Sequence, residues 1–273
     1  MLELLHYDFM RNALLAGLLA SLACGMIGSL VVVNRIGFLS GGIAHAAYGG
    51  IGLAFFLGWA VLPTTLGFAL CVAAAMAWVT QGRRARADTV VGVLWAVGMA
   101  IGIILVDLSP GYQVDLLSYL FGSILAVPES DLWAMLGMNA VILGVILVFY
   151  KEFLAMSYDV EFARARGVPV RSLYYVLLGL IAVSVVMLMR VVGLILVIAL
   201  LTIPPYLAER YVRSLAAMML LAAAFSALFA VCGLWLSYAF NLTSGASIIA
   251  VGAAAFLAVS ALEGLRPHRP EPN

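Results

Sequence analysis

Residues 12–33 read NALLAGLLASLACGMIGSLVVV, an unbroken stretch with no charged side chain. A helix rises about 1.5 Å per residue, so a run of this length reaches across roughly 30 Å of hydrocarbon. Apolar runs of the same kind recur near 38–58, 62–80, 89–106, 132–150, 173–190, 191–209, 214–237 and 246–262. Of the 273 residues, 66% are hydrophobic and 10% charged, against roughly a quarter charged in soluble domains. The expected fold is all-α, a polytopic transmembrane helical bundle of eight or nine spans. An open sheet is excluded, because unpaired backbone groups find no water in lipid. The shorter segment Asp115–Val127 is expected to be re-entrant or to lie at the interface. Residues 1–265 read as one transmembrane domain and 266–273 as a polar tail.

The net charge of +1 supplies no basic field, so a nucleic-acid partner is not expected. Cys24, Cys71 and Cys232 are widely spaced within apolar runs and form neither a disulfide framework nor a metal knuckle. The N-terminal Met1–Arg11 lacks the basic region of a cleavable signal, and the run after it is long enough to be a span. Lysines and arginines orient the chain. Arg83, Arg84 and Arg86 share one loop, Lys151, Arg164, Arg166 and Arg171 another, Arg210 and Arg213 a third, and Arg266 and Arg269 the tail. With nine spans all four groups fall on one side, which is then cytoplasmic, and the N-terminus is outside. Arg190 is the exception.

Three local features bear on the spans. Gly98 and Gly102 make a small-xxx-small pair suited to close helix packing. Asp88 and Thr89 open the fourth span as an expected N-cap. Pro204 and Pro205 are expected to break the seventh, since proline removes a donor and clashes with the preceding turn.

Between the fifth and sixth spans lies YDVEFARARGVPVR, residues 158–171. Asp159 is placed to cap a short helix, Glu161 favours its start, and Arg164 and Arg166 suit its end. Gly167 is a natural stop with Pro169 just beyond. Physics alone leaves two readings open, a plain connection or a docking element. The pattern Asp159-x-Glu161-x-Ala163-x-Ala165-x-Gly167 resembles the coupling segment of the membrane permeases of ABC-type metal-ion importers, the zinc/manganese/iron class. Residues 87–94 (ADTVVGVL), 115–127 (DLLSYLFGSILAV) and 192–204 (VGLILVIALLTIP) are similar to further segments of that family, in the same order. The resemblance spans about residues 10 to 260.

It implies a non-catalytic permease subunit in the plasma (inner) membrane of a prokaryote, with no permanently bound cofactor and a divalent metal ion as transported substrate. The implied partners are a second copy of the chain, a cytoplasmic ABC ATPase docked on Asp159, Glu161, Ala163, Arg164 and Gly167, an extracytoplasmic metal-binding protein, and membrane lipid. The lack of a Gly-x-x-x-x-Gly-Lys-Ser/Thr loop agrees, because the energy must then come from another chain or an ion gradient.

Of three histidines only His45 lies deep in a span, in GGIAHAAYGGIG at 41–52. Positions four apart share a helix face, so Gly41, His45 and Gly49 form one stripe, flanked by Gly42 and Gly52. The ring is not walled in by its own helix, and the cleared space must hold packed backbone, water or a passing ion. Intramembrane ionisable groups usually face an interior path, and neutral imidazole suits first-row divalent ions. A histidine donating to a nearby carbonyl is the alternative. With the resemblance, His45 is the candidate metal ligand on the ion path. The family commonly carries aspartate four residues earlier, where this chain has Gly41, so further ligands must come from the other protomer's His45, from Asn241, Tyr48 or Thr202, or from water. Two rivals remain: an ABC permease for a metal chelate or cobalamin-like cofactor, and a stand-alone carrier driven by protons through His45.

Overall fold

The computed structural model describes residues 8–82, 87–109, 122 and 124–264. Arg83, Arg84, Arg86, Arg266, Arg269, His6 and His268, the tail 266–273 and the part of Asp115–Val127 before Gly122 lie outside them. The described chain is all helix: α1 (Asp8–Val33), α2 (Gly37–Ala46), α3 (Tyr48–Leu57), α4 (Val61–Gly82) and α5 (Ala87–Asp107), then a 3-10 turn (Ile124–Ala126). There follow α6 (Glu129–Val148), α7 (Tyr150–Tyr158), α8 (Val160–Ala165), α9 (Val170–Val192), α10 (Leu194–Glu209), α11 (Leu215–Phe240) and α12 (Ser244–Gly264). Eight segments are long and apolar enough to span, with α2 and α3 together forming one of them.

Hydrogen bonds between distant segments fix which helix ends lie together. Asn34 Nδ2 donates to Ser157 Oγ at 2.8 Å, Thr80 and Tyr174 share a hydroxyl contact at 3.0 Å, and Ala216 N–H donates to the Tyr150 hydroxyl at 3.1 Å. Those contacts gather the end of α1, the end of α4, the starts of α9 and α11, and α7 at one end of the bundle. At the other end Asn12 Nδ2 donates to Val127 O at 3.3 Å, and Arg190 pairs with Asp131 at 3.3 Å. The helix α10 must therefore cross between the two ends, although its sixteen residues reach only about 24 Å. Eight long spans and one short one make nine crossings among the described residues.

Arg35, Lys151, Arg164, Arg166, Arg171, Arg210 and Arg213 all fall at the first end, which the positive-inside rule makes cytoplasmic. Two described cations lie at the opposite end, not one, and each faces an aspartate. Arg11 meets Asp8 at 3.1 Å, and Arg190 meets Asp131. Exposed Trp59, Trp133, Trp235 and Tyr238 sit near that outer end, and exposed Trp78, Tyr158 and Tyr211 near the inner one. Amphipathic rings favour both interfaces of a bilayer.

Burial separates the centre from the rim. In α1, the α2–α3 span and α9, 72%, 78% and 72% of the apolar window is buried, against 17% in α5 and 22% in α12. Small residues make the central contacts close. A Cβ at Gly98 would lie 2.7 Å from Ala46 Cα, one at Gly102 2.5 Å from Tyr48 O, and one at Gly52 would collide with the Gly102 backbone. The Gly98/Gly102 pair thus seats α5 on the junction of α2 and α3, as its spacing suggested. That junction is a tightening at Ala47, where Gly50 N–H donates to Ala47 O at 2.9 Å, three residues back instead of four. Asp88 falls in the first turn of α5 rather than before it.

The expected break at Pro204 and Pro205 does not occur, for α10 runs through both. Their missing N–H groups free the carbonyls of Leu200 and Leu201. Leu201 O lies against α1 at Gly28, where an added Cβ would come within 2.7 Å of it. Irregular backbone is tolerated at depth when protein covers it. The real change of direction falls at Gly193, with φ 79° and ψ 159°, a conformation open to glycine alone at little cost. Gly122 packs directly on that elbow.

Candidate functional site

His45 lies eight residues into α2 (45 less 37) and Trp95 eight residues into α5 (95 less 87), so both sit about 12 Å from the cytoplasmic ends of their helices. Residues 39–52 are all buried except His45, which is partly exposed. Its Nδ1 lies 2.9 Å from the Gly41 carbonyl. A carbonyl only accepts, so Nδ1 carries the proton, and in the neutral ring Nε2 keeps its lone pair. Among the described residues Nε2 has no hydrogen-bond partner. Metal-binding histidines usually hold their second nitrogen in this way, which fixes tautomer and ring orientation.

The glycine stripe divides. A Cβ at Gly49 would meet the Phe68 ring at 2.5 Å, and one at Gly42 the side chains of Val91 and Met76. Packed side chains fill those clearings. Gly41 differs, for it is buried and yet an added Cβ would touch nothing within 4 Å. Open space therefore remains on the face of α2 one turn from the imidazole.

Tyr48 is buried at 2% exposure, Asn241 caps the outer end of α11 in a left-handed conformation, and Thr202 Oγ1 donates to Ile198 O of its own helix at 2.8 Å. Asn139 binds the Leu19 carbonyl of α1 at 3.1 Å and serves as interhelical glue. Among the described residues no three His, Cys, Asp or Glu side chains converge.

The cytoplasmic loop folds as its residues dictate. Asp159 accepts from Phe162 N–H at 2.9 Å, capping α8, and Arg164 pairs with Glu161 at 2.8 Å. At the far end Gly167 takes φ +78°, Gly167 N–H donates to Arg164 O and Val168 N–H to Ala163 O, each at 3.0 Å. This pair of bonds is the Schellman arrangement that stops a helix. Ala163 is buried toward the bundle, while Glu161, Phe162 and Arg164 are exposed. Arg166 lies 5.1 Å above the Phe162 ring. A six-residue helix locked at both ends presents a firm mixed apolar and charged surface.

Two relationships had no signal in the sequence. Trp95 stacks on His45, and Arg190 pairs with Asp131, because each joins helices far apart along the chain. Among the described residues, eight helical segments long and apolar enough to span, with α10 crossing beside them, define a polytopic helical membrane protein. The ABC 3 transport family matches residues 6–263. An uncharacterized membrane protein of Synechocystis sp. is 52% identical over 257 residues, covering 94% of this chain and 92% of that protein. The manganese transport system membrane protein MntC of Halalkalibacterium halodurans is 33% identical, covering 93% and 87%. The solved structure of PsaBC from Streptococcus pneumoniae in complex with Fab superposes with a TM-score of 0.85 at 32% identity, covering 94% of this chain and 92% of that one. The chain belongs to the ABC 3 transport family, and its resemblance to the metal-ion permeases of ABC systems is borne out.

Proposed function

We propose that this chain is the non-catalytic permease subunit of an ATP-driven manganese importer in a prokaryotic plasma membrane. The observation that carries the reading is the lone imidazole at depth. Among the described residues, His45 is the only Asp, Glu, Lys, Arg or His more than two turns from both ends of its span. Such a group is costly in hydrocarbon unless it borders a wet path. Its Nε2 lone pair suits a first-row divalent ion. Relatives named as manganese transport proteins favour manganese over zinc and iron.

Two copies form the path between them, each contributing one His45, with water completing the coordination. The partial exposure of His45 in a single chain supports a site that a second copy completes. Residues 158–171 rest on a cytoplasmic ATPase, whose closure on ATP swings the crossing helices between inward and outward access. A separate extracytoplasmic protein delivers the ion to the outer end. Proteoliposomes holding the permease with its ATPase test this directly. ATP hydrolysis should drive accumulation of radioactive manganese, and a non-hydrolysable analogue should not. Accumulation driven by a proton gradient without ATP would instead mark a stand-alone carrier.

A further inference from the structure

We propose that Trp95 is a positioning residue for ion passage, its indole holding the His45 ring with Nε2 presented to the path. This rests on the reading of His45 as an ion contact. The two rings stack with centroids 3.9 Å apart and planes inclined by 27°. The Gly41 carbonyl fixes one edge of the imidazole and Trp95 covers one face, so rotation about either side-chain bond breaks one contact or the other. The nitrogen facing away from the α2 backbone is Nε2.

Trp95 is itself held. Its Nε1–H donates to Met99 Sδ at 3.3 Å, one turn along α5, and Phe38 of α2 packs 6.0 Å away at 49°. The stack thus ties the orientation of the ligand to the seating of α5 on α2. An indole face also does what an aliphatic side chain does not. An ion bound at Nε2 draws charge from the imidazole, and the negative face of the indole favours the more electropositive ring. The consequence is specific: losing the ring face should weaken capture of the ion more than it slows transport.

The test uses cells carrying the complete transport system and measures initial rates of manganese uptake across concentrations. Trp95→Phe keeps an aromatic face and should leave the apparent KM within about twofold. Trp95→Leu keeps an apolar side chain without the aromatic face and should raise KM by about three- to tenfold, with the maximal rate little changed. Equal KM for both variants, or loss in the maximal rate alone, overturns the proposal. His45→Ala separates the two claims. If it abolishes uptake while Trp95→Leu is neutral, only the positioning role fails; if it transports normally, the reading of His45 fails first. If Trp95→Leu does not reach the membrane, a chain with Trp59, Trp78, Trp133 and Trp235 replaced by Phe reports the stack by fluorescence. Adding His45→Ala should then brighten Trp95 by removing a quenching ring in contact with it, and unchanged emission overturns the proposal.

Discussion

The Arg190 guanidinium lies 3.3 Å from the Asp131 carboxylate and joins the outer ends of α9 and α6. It is one of two described basic residues on the side where cations are disfavoured, and both are paired. Arg190 stands three residues before the Gly193 elbow, so the ion pair also braces the turn between the longest buried span after α1 and the short crossing α10.

Neutralising that pair should loosen the outer end. The side chains are 32% and 19% exposed, so the interaction is neither fully solvated nor dry. Asp131→Asn is expected to cost about 1 kcal/mol, the upper range for a solvated pair. A lower melting temperature of the detergent-solubilised protein checks this, and exchanging the two charges should restore most of the loss.

The contact of α5 with α2 and α3 depends on absent side chains. Gly98→Val and Gly102→Val should destabilise by about 1–3 kcal/mol through overpacking, or prevent accumulation in the membrane. Gly92 is a control on the same helix, because a Cβ there meets nothing within 4 Å. Gly92→Ala should be neutral or stabilise by up to about 1 kcal/mol. Membrane abundance and melting temperature distinguish the two classes.

The proposed coupling role of α8 should be sensitive at the ends of the helix before its middle. Asp159→Ala removes the cap at a cost of about 1 kcal/mol. Gly167→Val forces a β-branched residue to φ +78°, costing about 1–2 kcal/mol or more. Both should lower co-purification of the ATPase and the coupled rate of ATP hydrolysis, without lowering permease abundance. Ala165→Ser, at an exposed position, should do neither.

The space beside Gly41 invites a gain of function. Gly41→Asp should fold normally, since an added Cβ meets nothing, and would place a carboxylate one turn from the imidazole on the same face. A lower KM for manganese uptake is the expected outcome, read from initial rates at limiting ion.

Much of the fold was legible because hydrocarbon is an exacting solvent. The runs 12–33 and 132–150 have no water-compatible alternative, and the spacing of Gly98 and Gly102 told where helices meet. The ends of α8 were legible too, because capping chemistry is local. What failed was tertiary. Pro204 and Pro205 lie within an unbroken helix because α1 covers the freed backbone at Gly28, and nothing near residue 204 reports that. The space beside Gly49, which the sequence left open to packing, water or an ion, is filled by Phe68 from another helix. The histidine itself was found from sequence, while its partner Trp95 was not, since stacking across two helices leaves no periodic trace.

The most direct measurement is elemental analysis of metal accumulated by cells whose only manganese importer contains His45→Ala. Accumulation should drop to that of cells without the permease, with the variant present in the membrane at normal level. Manganese content equal to wild type would contradict the role of the deep imidazole in the ion path.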